Sequence, residues 1–560
     1  MLAPQNQQFT VLDSIESTQS AWYDEIDSAI RRSDIIPGDY EYTSATSYGN
    51  TGAIEEGVST YVDLAPPRFK IISLDNSYIT IKQTIKIHFS KDMSSNFLTK
   101  KWYVGYKYAP ECIGAYRIHT NTDLLQTVNH ANYEWFLIQN SIADPVKEKD
   151  ECFATIDKIR RMDPNVPGVY IDLTNFSSTS NEIPITLNLK IPISSFLIFY
   201  NLQYFAEWMG KICIEIYPTF KNLVIAPIVD PYTTTFPNKS ASPDSFASLQ
   251  SVLDANPSLN LGFYNINEDM YNYYNGTADA SSHVYTYAVQ NVKCIAQTCI
   301  ADEVQIRTAQ YMLQADVYDA IAQRYMTRPL VFPIQEIESK DFTQNLRDAE
   351  NPGAGGVDIP GSAVNEAMTV ALKHCDAAFT VFKKNIHSTT CFENPDLENV
   401  TFNINGKYYP REHVNTLDDV KSRNLTLDAL NTNRSLITAI PKDLHTSIQP
   451  YSIIRNVAAN GTSTPAKHYT DGDRSNYILG LPFADSDDFM GGISTANATI
   501  QVQMTAQTKG STGFNHHLAF GQPTMLLTQD CLLKIWSFKS ATRKQIEISH
   551  ETIEQIALTV

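Results

Sequence analysis

The chain has 560 residues and a mass of 62.8 kDa, more than one hydrophobic core holds, because single cores stop growing at roughly 250–300 residues. Its formal net charge is −18 and its pI about 5.1, which argues against a protein that grips nucleic acid by neutralising phosphates. Eight cysteines are scattered without a CxxC pair, so free buried thiols are expected rather than a zinc site.

Residues 1–65 are acidic, rich in Ser, Thr and Gly and poor in strand patterns, and are read as an N-terminal arm. MLAPQNQQFT has no basic region leading into an apolar run, so no secretory signal is expected. Within the arm, Ile15, Trp22, Ile26, Ala29 and Ile30 fall at helical spacing, with Asp24, Glu25, Asp27, Arg31 and Arg32 on the other faces. An apolar stripe of this kind is a docking face. Two uses stay open: docking on another chain through Trp22, Ile26 and Ile30, or packing on its own domain. Ser44–Ser59, with three glycines, reads as flexible, and Ala65-Pro66-Pro67 marks the start of the folded body.

Period-two alternation follows. Ile79, Ile81, Ile85, Ile87 and Phe89 alternate with Thr80, Lys82, Thr84, Lys86 and His88, which predicts a strand with one buried face. Ile183–Ile193 repeats the pattern, with Pro184 and Pro192 on the polar parity, as expected of an edge strand. Ile191–Met209 is the most apolar segment but is broken by Pro192, Asn201, Gln203 and Glu207, so it reads as core and not as a membrane span. Lys211–Pro218 and Phe220–Val229 predict two more strands. The polar stretch Val229–Ser282 is a long loop, and its Tyr271, Tyr273 and Tyr274 are read as a contact between subunits.

Ala315–Met326 predicts a helix, with Asp316 at its N-terminus and Arg328-Pro329 closing it. Strands resume at Leu330–Phe342, Ala377–Phe382 and Val400–Ile404, the last ending at the hairpin signal Asn405-Gly406. Ile500, Val502, Met504 and Ala506 alternate with polar residues, and Met525–Phe538 is a final strand. The expected fold is all-β: two eight-stranded antiparallel sandwiches in one chain, of which the jelly roll is one architecture, over residues 66–300 and 301–560, with an irregular N-terminal arm 1–65 and a few short helices.

No motif commits the chain to catalysis. Gly353-Ala354-Gly355-Gly356 lies between prolines and lacks the strand and helix of a phosphate cradle. Asp485-Ser486-Asp487-Asp488 lacks the glycine turn and distal Glu of a calcium loop. His516 and His517, adjacent on a strand, would face opposite ways. His374-Cys375-Asp376 names triad residue types without placing them as one. Lys100-Lys101 and Lys158–Arg161 read as solvated charge. No catalytic, cofactor-binding or metal-binding residue is expected, and no cofactor.

In the second half, Asp376–Phe382 is followed by Thr389-Thr390-Cys391-Phe392-Glu393-Asn394-Pro395, then Asn405-Gly406-Lys407, Tyr409-Pro410 and Asn415-Thr416-Leu417-Asp418. This order resembles the second jelly roll of major capsid proteins of polinton and adintovirus-type elements, relatives of virophage and adenovirus hexon-type shell proteins. The resemblance covers roughly residues 300–420. It implies upright paired jelly rolls, pseudo-hexagonal homotrimers tiling an icosahedral shell, and partners that include neighbouring trimers, a single jelly-roll penton protein and minor capsid proteins. It implies no cofactor and no direct sequence-specific nucleic acid contact. It further implies that Cys391 and Phe392 are core and that Asn394-Pro395 turns the chain. The competing reading is a β-sandwich receptor- or glycan-binding spike or fibre protein whose aromatic loops stack on sugars. A third, a hydrolase, needs carboxylates converging in a cleft.

Overall fold

The computed structural model describes residues 22–24, 26–27, 39–44, 54–89, 101–120, 123–141, 152–173, 182–200, 202–228, 263–267, 269–270, 292–325, 330–346, 363–383, 388–392, 395, 397–414, 416, 419–432, 475–484, 492–496, 498–505, 521–535 and 542–545.

The first half is built from strands β1 (Asp39–Ser44), β2 (Thr60–Leu64), β3 (Lys70–Phe89), β4 (Lys101–Gly105), β5 (Ile113–His119) and β6 (Leu124–Val128). Helices α1 (Ala131–Ser141) and α2 (Ile156–Arg160) follow, then β7 (Gly168–Asp172), β8 (Ile183–Pro192), β9 (Tyr204–Ala206), β10 (Ile212–Pro218), β11 (Val224–Pro227), β12 (Tyr264–Asn265), β13 (Asp269–Met270) and β14 (Val292–Met312). One sheet runs β1-β14-β3-β8, with β13 on β14 and β9 on β3. Two four-stranded sheets run β2-β10-β5-β6 and β12-β11-β4-β7. They are separate because both chain paths through them break. A 3-10 turn at Ala109–Cys112 parts β4 from β5, and Pro218, which has no N–H to donate, ends β10 before β11. The first half therefore holds more strands than the expected eight.

The second half follows helix α3 (Ala315–Arg324). It contains β15 (Leu330–Asp341), β16 (Ala363–Met368), β17 (Cys375–Val381), β18 (Asn399–Ile404) and β19 (Lys407–Val414), helix α4 (Asp419–Thr432), then β20 (Leu479–Pro482), β21 (Ile500–Thr505), β22 (Thr524–Ile535) and β23 (Thr542–Gln545). Its sheets are β15-β22-β17-β20, with β23 added to β22, and β16-β21-β18-β19. This is four strands on four, plus one. Every pairing of named strands is antiparallel.

The alternation read in the sequence is the alternation of burial. Ile79, Ile81, Ile85, Ile87 and Phe89 are buried, and the intervening side chains are exposed or half-buried. Gln83 shares the buried parity, and its Oε1 accepts the Tyr106 hydroxyl at 2.8 Å. β8 lies at the edge of its sheet, so Pro184 and Pro192 cost no central ladder bond. The Asn405-Gly406 turn joins β18 to β19 with φ of 52° and 78° at its two residues, the left-handed pair of a tight hairpin.

Two expected boundaries move. The segment read as an arm supplies β1, paired to β14, and β2, paired to β10, so strands of the folded body begin well before residue 66. The break at 300 falls inside β14, which pairs with β3 from Cys294 to Met312. The halves are joined instead through α3. Nor do they have separate cores. One apolar cluster takes in Ile79, Trp135 and Ile214 of the first half together with Phe332, Phe379, Phe392 and Leu533 of the second. A second cluster, around Val400, Val502 and Leu527, belongs to the second half alone.

Candidate functional site

The chemistry of the chain is concentrated where the halves meet. The resemblance motif sits there. Cys391 and Phe392 are fully buried, as the resemblance implied, but they face different clusters. Cys391 packs with Tyr103, Val224 and Phe263 of the first half. Phe392 meets Phe136 of α1 edge to face, with centroids 4.5 Å apart. The Phe392 amide donates to the Ser475 carbonyl at 3.0 Å, and its carbonyl accepts the Tyr477 amide at 3.2 Å. A piece of the second half is thus inserted into the first as a plug.

Polar side chains of the first half close over it. The Asn265 amide nitrogen donates to Thr390 Oγ1 at 2.9 Å and Thr389 Oγ1 at 3.1 Å, while its oxygen accepts the Thr389 and Thr390 backbone amides at 3.1 and 3.2 Å. Asn132 Nδ2 donates to the Thr389 carbonyl at 2.8 Å. Lys107, wholly buried, ends in the same place. Its ammonium donates to the Ser475 carbonyl at 2.9 Å, the Thr390 carbonyl at 3.2 Å and Ser475 Oγ at 3.3 Å, between the Phe136 and Phe263 rings. A buried ammonium is tolerated only where acceptors replace its water, and these acceptors belong to the other half. Nearby, Asn476 Nδ2 donates to Asn140 Oδ1 at 2.7 Å.

Three carboxyls of the folded chain are shifted. Glu134, on α1, accepts the Tyr116 hydroxyl, and burial pushes it up to about 8. Asp376 is held well above the usual carboxylate range, by burial first and then by the charge of Asp530, with Gln335 Nε2 at 3.5 Å from both. Like charges in a dry site cannot both ionise. Asp341, half-buried, goes the other way: burial raises it, but the Thr524 hydroxyl and the Lys383 ammonium at 3.2 Å outweigh that and hold it low.

The sequence-derived sites fare unevenly. Trp22 and Ile26 are buried within their own chain. Trp22 meets Trp208 and Tyr325 edge-on at 5.5 and 5.3 Å, and Asp27 accepts the Tyr204 hydroxyl at 2.7 Å. Both side chains are covered within their own chain, Trp22 by Trp208 and Tyr325 and Ile26 in the main apolar cluster, which fits the second of the two uses left open, packing on the chain's own domain. Ile30, Tyr271, Tyr273 and Tyr274 lie outside the described residues, as do Gly353–Gly356, Asp485–Asp488 and His516-His517. Cys375 and Asp376 are both buried on β17, Cys375 in the second-half core, so no exposed nucleophile arises there. Lys158, read as solvated, is buried, its ammonium on the carbonyls of Phe153 and Asn165 at 3.3 and 3.4 Å. Among the described residues no group of three or more His, Cys, Asp and Glu is placed to hold a metal ion, and no helix is long and apolar enough to cross a membrane. Lys107 and Asn265 were missed; each lies over a hundred residues from its partners, and nothing local in the sequence marks them.

Two packed antiparallel β-sandwiches in one chain make this a double jelly-roll fold, the fold of the mavirus major capsid protein. The crystal structure of the mavirus major capsid protein superposes with a TM-score of 0.50 at 8% identity, covering 92% of this chain and 92% of that one. The cryo-EM structure of the Sputnik virophage gives 0.43 at 10% identity over 94% and 91%, and the PBCV-1 virus capsid model 0.40 at 10% over 91% and 97%. No protein-family model matches the chain, and no curated protein matches it.

Proposed function

We propose that this chain is a major capsid protein whose copies form pseudo-hexagonal homotrimers, and that these tile an icosahedral virion shell. The observation that carries the reading is the double jelly-roll fold, shared with the mavirus major capsid protein over 92% of each chain. Two similar sandwiches repeated three times around an axis give six near-equivalent edges, which suits a hexagonal lattice. The seam supports this use: a tile must keep its two halves at a fixed angle, and a shared core with a buried latch does so. In this reading the partners are the chain itself, neighbouring trimers, a single jelly-roll penton protein and minor capsid proteins. The role is structural and not enzymatic, and the charge of −18 leaves genome condensation to other components. Negative-stain imaging of the purified protein tests the reading: flat trimers of hexagonal outline, or closed shells, are expected, and isolated monomers with no higher assembly would refute it.

A further inference from the structure

The sheet β16-β21-β18-β19 is the outer layer of the second half. That half turns its other sheet toward the first half, with Phe332, Phe379 and Leu533 in the shared core. On the far side lies the second half's own core, which takes Val364, Val400, Val502 and Met504 from the inner side of the outer sheet. Successive side chains of a strand point to opposite faces, so the positions between these look outward. The register sets them in rows. Asn365, Gln503 and Thr401 stand side by side, and so do Ala367, Gln501 and Asn403, with Tyr408 next to Asn403. Asn365, Ala367 and Gln503 are exposed, Gln501 and Asn403 are half-buried, and Tyr408 is 54% exposed. Gln501 Nε2 donates to Asn365 Oδ1 at 3.2 Å across the strands. None of these outward residues carries a charge at neutral pH. The charged residues of the sheet whose side chains are described, Glu366 and Lys407, stand opposite the inward-facing Val502 and Ile404. The outward faces of the first half differ: β3 and β8 expose Lys82, Lys86 and Lys190, and β5 and β10 carry Arg117 and Glu215.

We infer that this charge-free face is covered by a second copy of the chain, as the contact between neighbours around the homotrimer. The inference rests on the capsid reading and names the surface through which it works. At a formal net charge of −18, copies of the chain repel one another. Their approach is least opposed where a surface carries no charge of its own. Burying a charge also costs far more than burying an amide that finds a hydrogen-bond partner. The centres of protein interfaces are accordingly depleted of charge and enriched in Tyr, as this face is. Its amides both donate and accept, so they can pair with either kind of polar group on a neighbour. Geometry selects the same face. Three copies set six sandwiches around an axis, which gives each sandwich two lateral neighbours. One neighbour of the second half is its own first half, met through the inner sheet. The layer on the opposite side is left for the next copy, and that layer is β16-β21-β18-β19.

The test places charge on the face of the full-length chain. Gln501→Glu combined with Gln503→Glu should leave the fold intact, since both side chains reach solvent in the single chain. It should weaken association by at least about a hundredfold, because a buried charge without a partner is strongly destabilising. Light scattering should then show trimers for the wild type and monomers for the double variant at the same concentration. A folded double variant that stays trimeric over the same dilution range would overturn the inference and leave the capsid reading standing. A monomeric wild type would overturn the capsid reading, and the inference with it. If the double variant fails to fold, nitration of Tyr408 by tetranitromethane, read by peptide mass spectrometry, decides the question without a substitution. Tyr408 should resist nitration in wild-type trimers and react in folded monomers released by sub-denaturing urea. Equal reactivity in the two states would overturn the inference: high in both means an open face, and low in both means a face covered by the chain itself.

Discussion

Lys107 of the first jelly roll ends on the backbone carbonyl of Ser475 in the second, 2.9 Å away and closed off from solvent. The two residues are 368 positions apart, and their contact fixes how the halves sit. Replacing Lys107 with Met should keep the volume but strand the carbonyl of Thr390, while the Ser475 carbonyl keeps only the Phe392 amide. Each buried acceptor left unsatisfied costs about 1–3 kcal/mol. Thermal unfolding of Lys107→Met should begin several degrees below wild type; an unchanged Tm would show that the latch contributes nothing.

Phe392 makes the apolar half of the same latch. Phe392→Ala should cost about 3–5 kcal/mol, the usual range for a buried aromatic ring. With Phe136→Ala it should show a coupling of about 0.5–1.5 kcal/mol, as edge-to-face pairs do. Additive losses in a double-mutant cycle would mean that the two rings act separately.

Glu134 gives the folded state a pH dependence. Its carboxyl is raised from 4.5 to about 8 in the folded chain. The folded state thus holds a proton that the unfolded state releases above its own pKa, so stability is full below about 4.5 and falls as pH rises toward about 8, by an amount on the order of a few kcal/mol. Glu134→Gln cannot ionise and should lose most of this slope. The check is the Tm difference between about pH 5 and about pH 8.5; equal differences in wild type and variant would contradict the assignment.

The hairpin between β18 and β19 depends on Gly406, whose φ is +78°. A methyl group there would touch nothing within 4 Å, so Gly406→Ala isolates the backbone cost, about 1–2 kcal/mol for a left-handed residue. A neutral substitution would show that the turn relaxes to another form.

Trp22 separates packing within the chain from docking between chains. Since it sits among Trp208 and Tyr325 of the same chain, Trp22→Ala should lower the Tm of the protein at every concentration, by about 3–5 kcal/mol of stability. A variant that melts normally but fails to assemble would place this contact between chains instead.

What was legible in the sequence was local. Period two marked β3, β8, β18 and β21 and their buried faces, because a half-wet strand must alternate. Asn405-Gly406 marked its hairpin, and the helix expected over Ala315–Met326 matches α3 within two residues. Where the physics is not local, the signal vanished. α1 (ANYEWFLIQNS) is buried over most of its surface, so it shows no polar face to betray a helix. β14 shifts register three times against β3, between Ala296 and Thr298, Ala301 and Glu303, and Arg307 and Ala309. Each bulge flips the parity, which hid a 21-residue strand and drew the domain break into its middle. The plug was visible as an unusual string, but not its purpose, since Asn265 and Lys107 meet it only through the fold.

The measurement that bears most directly on the capsid reading is the solution mass of the purified full-length chain by light scattering. The account predicts a stable species of three times the 62.8 kDa chain mass, persisting on dilution, or a closed shell built from it. A monodisperse monomer at all concentrations would contradict it and turn attention to the receptor- or glycan-binding alternative.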